Sequence, residues 1–270
     1  MRAALLLLLC SLAAGCHMQP GTLPRIGGKA ADAGAVAERL RTLTSAGTPS
    51  ESHSANFIDD RQNAQKVYEA IQYSPAWVRE GQATPQALAV ISALQNSQQK
   101  GLNPEDYQAS LWPARLIALK AGSGSADAVA QFDAALTVCA LRYLSNLRIG
   151  RVNPKPSEFG IDLDNQHYDL PQFLAQRVLT ASNLPDILSK VEPQYLGYQR
   201  TEAALHTYLT LAAQDHSNPL PDPHQTVKNG DQYVGTAQLS ERLRKLGDLP
   251  QSAITSPNAT ILDEPLVDAV

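Results

Sequence analysis

The chain has 270 residues and a formal charge of −4, from 22 basic and 26 acidic side chains, with 6% aromatic and 18% charged residues. Its basic residues are scattered rather than gathered into a patch, which excludes nucleic acid as a partner. Plentiful alanine, leucine and glutamine with few aromatics favours helix over sheet, and the length suits one or two domains that each bury a core.

Met1-Arg2, two alanines, five leucines and then Cys10 to Cys16 have the basic start, apolar core and small-residue ending of a secretory signal. The apolar run is shorter than the ~20 residues that span a bilayer. Its end, Leu12-Ala13-Ala14-Gly15-Cys16, resembles a bacterial lipobox, so the expectation is a signal peptide over 1–15 and lipid attachment at Cys16, placing the chain in the periplasm as a membrane-anchored lipoprotein. Residues 16–55 are rich in glycine, alanine, serine, threonine and proline and read as a flexible tether, although Val36, Leu40 and Leu43 have the spacing of a short amphipathic turn. Of the three cysteines only Cys139 falls in the body. It sits on an apolar stripe, where a thiol acts as a small hydrophobe.

From Phe57 to Tyr73 the residues Phe57, Ala64, Val67, Tyr68 and Ile71 recur at helical spacing, and Ser74-Pro75 ends the run. Trp77 follows as a core anchor. Thr84-Pro85 is a cap with proline in the first turn, opening a helix with Leu88, Ile91, Leu94 and Gln95 along one side, and Gly101-Leu102 closes that unit. Asn103-Pro104-Glu105-Asp106 repeats the starting chemistry, so its two acids read as a helix start before they read as an acid/base pair.

The longest periodic stretch runs from Ala126. Val129, Phe132, Leu136, Cys139, Tyr143 and Leu147 advance in steps of three and four onto one face, and Gly150-Arg151-Val152-Asn153-Pro154 is a stop. Asp162, Asp164 and His167 lie in the polar loop that follows. They lack the glycine of a calcium loop and a second histidine, so no metal is expected. Asp169-Leu170-Pro171 and Asn183-Leu184-Pro185-Asp186 each start a short helix. Tyr198 to Ala213 forms another, with Leu205, Tyr208, Leu209 and Ala212 expected inward; His206 and His216 read as surface residues.

Ser74-Pro75-Ala76-Trp77, the Leu88 helix, Gly101-Leu102-Asn103-Pro104-Glu105-Asp106-Tyr107, the long helix ending Leu141-Arg142-Tyr143 and then Gly150 to Pro154 together resemble the scaffold domain of large bacterial murein L,D-transpeptidases. Glu192-Pro193-Gln194-Tyr195-Leu196-Gly197-Tyr198 and Leu205-His206-Thr207-Tyr208 match that domain's proline-centred turn and closing helix, so the resemblance covers Asn56 to Asp215. Beyond a proline-rich linker at 216–225, Val227 to Gly235 and a helix carrying Leu239, Leu243 and Leu246 resemble the first half of a small peptidoglycan-binding module, and Leu262 to Val270 matches the start of its next helix.

The expectation is therefore a mainly α protein. A multi-helix scaffold domain at 56–215 precedes an incomplete small helical peptidoglycan-binding-like module at 226–270, which reads as truncated in mid-element because one turn after Pro265 is too short to persist alone.

In the resembled family a downstream β-rich domain supplies a cysteine and a histidine base. This sequence has no such motif, no Walker-type glycine loop and no HExxH. Catalytic residues: none are expected, nor a cofactor or a metal. The resemblance implies a non-catalytic part that positions peptidoglycan for cross-link remodelling, with peptidoglycan, the membrane and a separate or downstream catalytic domain as partners. The alternative is a stand-alone structural lipoprotein tethering membrane to peptidoglycan; an independent hydrolase is the third and weakest reading.

Overall fold

A computed structural model describes residues 31–45, 57–122, 124–151, 168–253 and 260–270. The helices are α1 (Ala33–Ser45), α2 (Phe57–Ala70), α3 (Pro85–Gln95), α4 (Trp112–Ala121), α5 (Ala126–Arg148), α6 (Leu170–Phe173), α7 (Leu184–Ser189), α8 (Leu196–Gln214), α9 (Thr236–Leu246) and α10 (Glu264–Asp268). The protein is mainly α, as composition and periodicity predict.

Helix α5 is the centre of the core. Its 23 residues bury the whole expected stripe, Val129, Phe132, Leu136, Cys139, Tyr143 and Leu147, each 5% exposed or less. Burying each such side chain contributes about 1.5–3 kcal/mol, so this face alone far outweighs helix propensity. Ser125 caps the start by accepting from the Ala128 amide, and Gly150, at φ 101°, takes the backbone sense that ends the segment. Trp77 and Trp112 are both fully buried. Trp112 meets Phe132 edge to face, with ring centres 6.0 Å apart, and its indole donates to the Tyr107 carbonyl.

Several expectations need correction. First, the reading of 16–55 as a flexible tether fails over Ala33–Ser45, which is helix α1: Asp32 caps it by accepting from Ala35, Val36 and Leu40 are buried in the main core, and Arg39 pairs with Asp127 of α5 at 2.5 Å. Val36, Leu40 and Leu43 have the helical spacing noted in the sequence, and the α5 surface supplies the packing that turns so short an amphipathic run into a stable helix. Second, Leu88 is 48% exposed and Gln95 is exposed too; Ile91 and Leu94 face inward as expected, and Ala87 and Val90 complete the buried face of α3.

Third, none of the residues of α8 is buried, and Tyr208 is 60% exposed. Leu205, Tyr208, Leu209 and Ala212 were expected inward, yet this helix lies over the 3₁₀ turn Ser97–Lys100 instead of entering the core. A hairpin that no local pattern announces, β1 (Val78–Arg79) with β2 (Gln82–Ala83), joins Trp77 to α3, antiparallel, with Glu80 and Gly81 both at positive φ in its turn. Two residues per strand are too few to show alternation in a sequence.

The C-terminal segment has its own apolar cluster of Leu243, Leu249, Leu262 and Leu266. Gly247, at φ 88°, closes α9 in the left-handed conformation that glycine adopts freely. The last helix α10 does form, against the expectation that so short a turn would not persist: Asp263 accepts from the Leu266 amide, Leu266 is 1% exposed, and backbone bonds from Tyr233 to Thr260 and from Leu262 to Asp231 tie it to the preceding loop. Tertiary bonds and one buried leucine replace helix length.

Candidate functional site

Two polar clusters interrupt the apolar body, one buried and one half-buried. The buried cluster is built on α5, where Asp133 and Thr137 stand one turn apart on the inward face, both 0% exposed. Asp133 Oδ1 accepts from the Ala76 amide and from the Tyr68 hydroxyl, each at 2.8 Å, and Oδ2 accepts from the Trp77 amide at 2.8 Å. The Trp77 indole donates to Thr137 Oγ1 at 2.9 Å. Because the single Tyr68 proton is committed to the carboxylate, the 2.8 Å contact between Tyr68 and Thr137 has the threonine as donor. The result is a directed chain from Trp77 through Thr137 and Tyr68 to Asp133.

Burial pushes the Asp133 carboxyl up to about 6, while the two amides and the Tyr68 hydroxyl pull it back down. Tyr68 is raised by burial and by the neighbouring carboxylate charge. Chemically this is a clamp. With three donors on its two oxygens and no exposed surface, the carboxylate holds the Ser74 to Trp77 segment against α2 and α5 and lies out of reach of a substrate.

The second cluster lies where α8 joins the body. Lys100, ending the 3₁₀ turn Ser97–Lys100, sits 2.8 Å from Glu192 and also pairs with Glu202 of α8. Tyr198 donates to Glu192 at 3.3 Å, and His206 Nε2 lies 2.9 Å from the Gln99 carbonyl. Burial works against the Lys100 charge, but hydrogen bonds and the charges of both glutamates more than offset it and raise the ammonium above its ordinary value. Tyr198 is pushed up by burial and by the same two carboxylates. Gly101, at φ 70°, turns the chain beneath Leu205. An ionic junction of this kind orients a helix that has no apolar seat.

The sequence-derived candidates fall as follows. Cys16, Asp162, Asp164 and His167 lie outside the described residues. Cys139 is 3% exposed, a reduced thiol within the apolar face of α5. Glu105 and Asp106 occupy the first turn of the 3₁₀ segment Pro104–Tyr107, capped by Asn103; Glu105 accepts from Ser110 at 2.8 Å and Asp106 lies 3.1 Å from Arg151. His206 and His216 are exposed. Among the described residues, no group of three or more histidine, cysteine, aspartate and glutamate side chains is placed to hold a metal ion, and no helix is long and apolar enough to cross a membrane.

Sequence reasoning passed over Asp133 and Thr137 because both are polar. Their positions relative to Val129, Phe132, Leu136 and Ala140 place them on the buried face, and an acid in such a stripe is the signal that could have found them. The Lys100, Glu192 and Glu202 junction joins residues 92 and 102 positions apart, and no local pattern announces it.

These clamps organise the stretch from α2 to α8, and that stretch is the one a family profile recognises: the profile described as Scaffold domain matches residues 62–205, just over half of the chain. The chain belongs to the Scaffold domain family. The matched stretch of the scaffold domain contains Tyr68, Trp77, Asp133 and Thr137 of the buried chain and Lys100, Glu192 and Glu202 of the ionic junction, while α1, which completes its core, lies before it. No curated protein and no solved structure matches the chain.

Proposed function

We propose that this chain is a non-catalytic scaffold unit of a murein L,D-transpeptidase, positioning peptidoglycan for cross-link remodelling and held at the cell envelope by lipid on Cys16. The observation that carries the reading is the Scaffold domain match over 62–205, which coincides with a helical body whose polar residues are spent on internal clamps. The separate leucine cluster at 227–269, with its bridge between Gln232 and Ile261, is the part assigned to contact wall polymer. Peptidoglycan and a catalytic L,D-transpeptidase domain, carried separately or downstream, are its partners in this reading.

The test is co-sedimentation of the full chain with purified peptidoglycan sacculi. Recovery in the pellet that saturates with added protein is the expected result; a chain that stays in the supernatant at low ionic strength refutes wall positioning. The anchor is tested separately. Cys16→Ser should move the chain out of the membrane fraction, and unchanged fractionation refutes lipidation.

A further inference from the structure

A polar cavity of about 260 Å³ opens between the end of the π turn Leu174–Val178 and helix α7. Its rim includes Arg177, Thr180, Ser182, Asn183, Asp186 and Lys190, a mixture of cations, hydroxyls, an amide and one carboxylate. We infer that this cavity binds the carboxylate end of a short peptide.

The rim is seated on the core. Val178 and Leu184, on its two sides, are 1% and 5% exposed, and the Ala181 carbonyl between them accepts from Gln86 of α3 at 3.0 Å. Groups carried on such supports keep their spacing when a ligand enters, which lowers the ordering cost of binding.

The charges are unbalanced. Arg177 and Lys190 approach from opposite elements, and neither forms an ion pair among the described residues. Asp186 is the single carboxylate on the rim, and one of its oxygens already accepts from Asn183 at 2.6 Å. The rim therefore carries one net positive charge, with a guanidinium fork suited to grip a carboxylate in two bonds and an ammonium to add a point charge.

The acceptors match the rest of a peptide end. Asp186 keeps a second oxygen, and the Thr180 hydroxyl spends its proton on the Gln176 carbonyl at 2.8 Å, leaving its lone pairs to receive an N–H. A rim that offers both cationic donors and free acceptors selects a carboxylate with an amine or amide nearby. Such a ligand differs from a bare anion, which would leave the acceptors unmet. This inference is independent of the wall-positioning reading, because a free dipeptide carries the same chemistry.

The experiment is a titration of the full, 15N-labelled chain with alanyl-alanine at low salt, followed through the amides of residues 177–190, with C-amidated alanyl-alanine and inorganic phosphate as parallel arms. Saturable shifts confined to this segment, with a Kd of about 1 mM as expected for an exposed site with few contacts, support the assignment. Arg177→Gln should weaken the dipeptide about tenfold, as loss of one charge-assisted pair implies, and Lys190→Gln should do so by less. Both side chains are exposed, so unchanged amide positions in the core verify that the fold survives. Equal shifts with the amidated dipeptide, a response to phosphate as strong as to the dipeptide, or no saturation at about 20 mM ligand would each overturn the inference.

Discussion

Replacing Asp133 with alanine tests whether the buried carboxylate is the pin of the scaffold. The substitution strands the Ala76 and Trp77 amides and the Tyr68 hydroxyl, three donors now bonded at 2.8 Å each. A buried donor without a partner costs about 1–3 kcal/mol, so the loss centres on about 6 kcal/mol. Against this, alanine relieves the burial of a charge: the rise of the carboxyl from 3.8 to about 6 corresponds to roughly 3 kcal/mol at neutral pH. The balance leaves a destabilisation of about 3 kcal/mol, or a fall in Tm of roughly 6–12 °C for a domain of this size. Thermal unfolding at pH 7.5, followed by near-ultraviolet circular dichroism, reads both the Tm and the loosening of the Trp77 indole. A variant that melts at or above the wild-type temperature would mean that charge burial outweighs the three bonds, and the pin argument would fail.

Acidity should move the same pair of proteins apart. The folded carboxyl binds its proton near pH 6 and the unfolded one near 3.8, so the folded state holds more protons between those values and this group's contribution rises as pH falls. Urea unfolding should show the gap between wild type and Asp133→Ala widening by about 2 kcal/mol from pH 7.5 to pH 4.5; a constant or shrinking gap contradicts the assigned shift. Leu40→Ala, at a position 0% exposed, should cost about 2–5 kcal/mol of global stability if α1 belongs to the core, and no change in the main transition would restore the tether reading. Lys100→Met removes the cation facing Glu192 and Glu202; with these side chains 8–25% exposed the cost is about 1–2 kcal/mol, so amide exchange across α8 should quicken roughly tenfold while α5 is unaffected. Equal protection of α8 in both proteins would show that the ionic junction does not hold it.

What could be read in advance was what repeats locally. The α5 stripe, the Thr84-Pro85 start of α3, and the glycines at 101, 150 and 247 each act within a turn or two of themselves, and each is where periodicity and turn chemistry place it. What escaped depends on partners distant in sequence. Leu88 lies within a run of apolar residues, so only the position of α5 decides that Ala87 and Val90 face inward and Leu88 does not. The fate of α8 follows from its being attached through Lys100 and Gln99 and not through its leucines. The α1 spacing is visible in Val36, Leu40 and Leu43, but so few apolar residues do not make a stable helix until α5 supplies the surface they pack on. The Asp133 chain was missed for a different reason, since treating the stripe as purely apolar discards the polar residue within it that does the most positioning.

The two clusters divide the labour of a scaffold between rigidity and orientation. A buried carboxylate at the centre fixes backbone amides of the Trp77 segment to α5, and because the donors around it are matched, any shift of that segment breaks several bonds together. The junction at α8 behaves differently. Its bonds run between side chains that keep some contact with solvent, so water can replace them one at a time, and the helix they hold leaves Tyr195, Leu196 and Tyr208 on the surface. A body built this way resists deformation at Asp133 while letting α8 shift one contact at a time. The Lys100 substitution is therefore expected to alter exchange in one helix, whereas the Asp133 substitution lowers the melting of the whole.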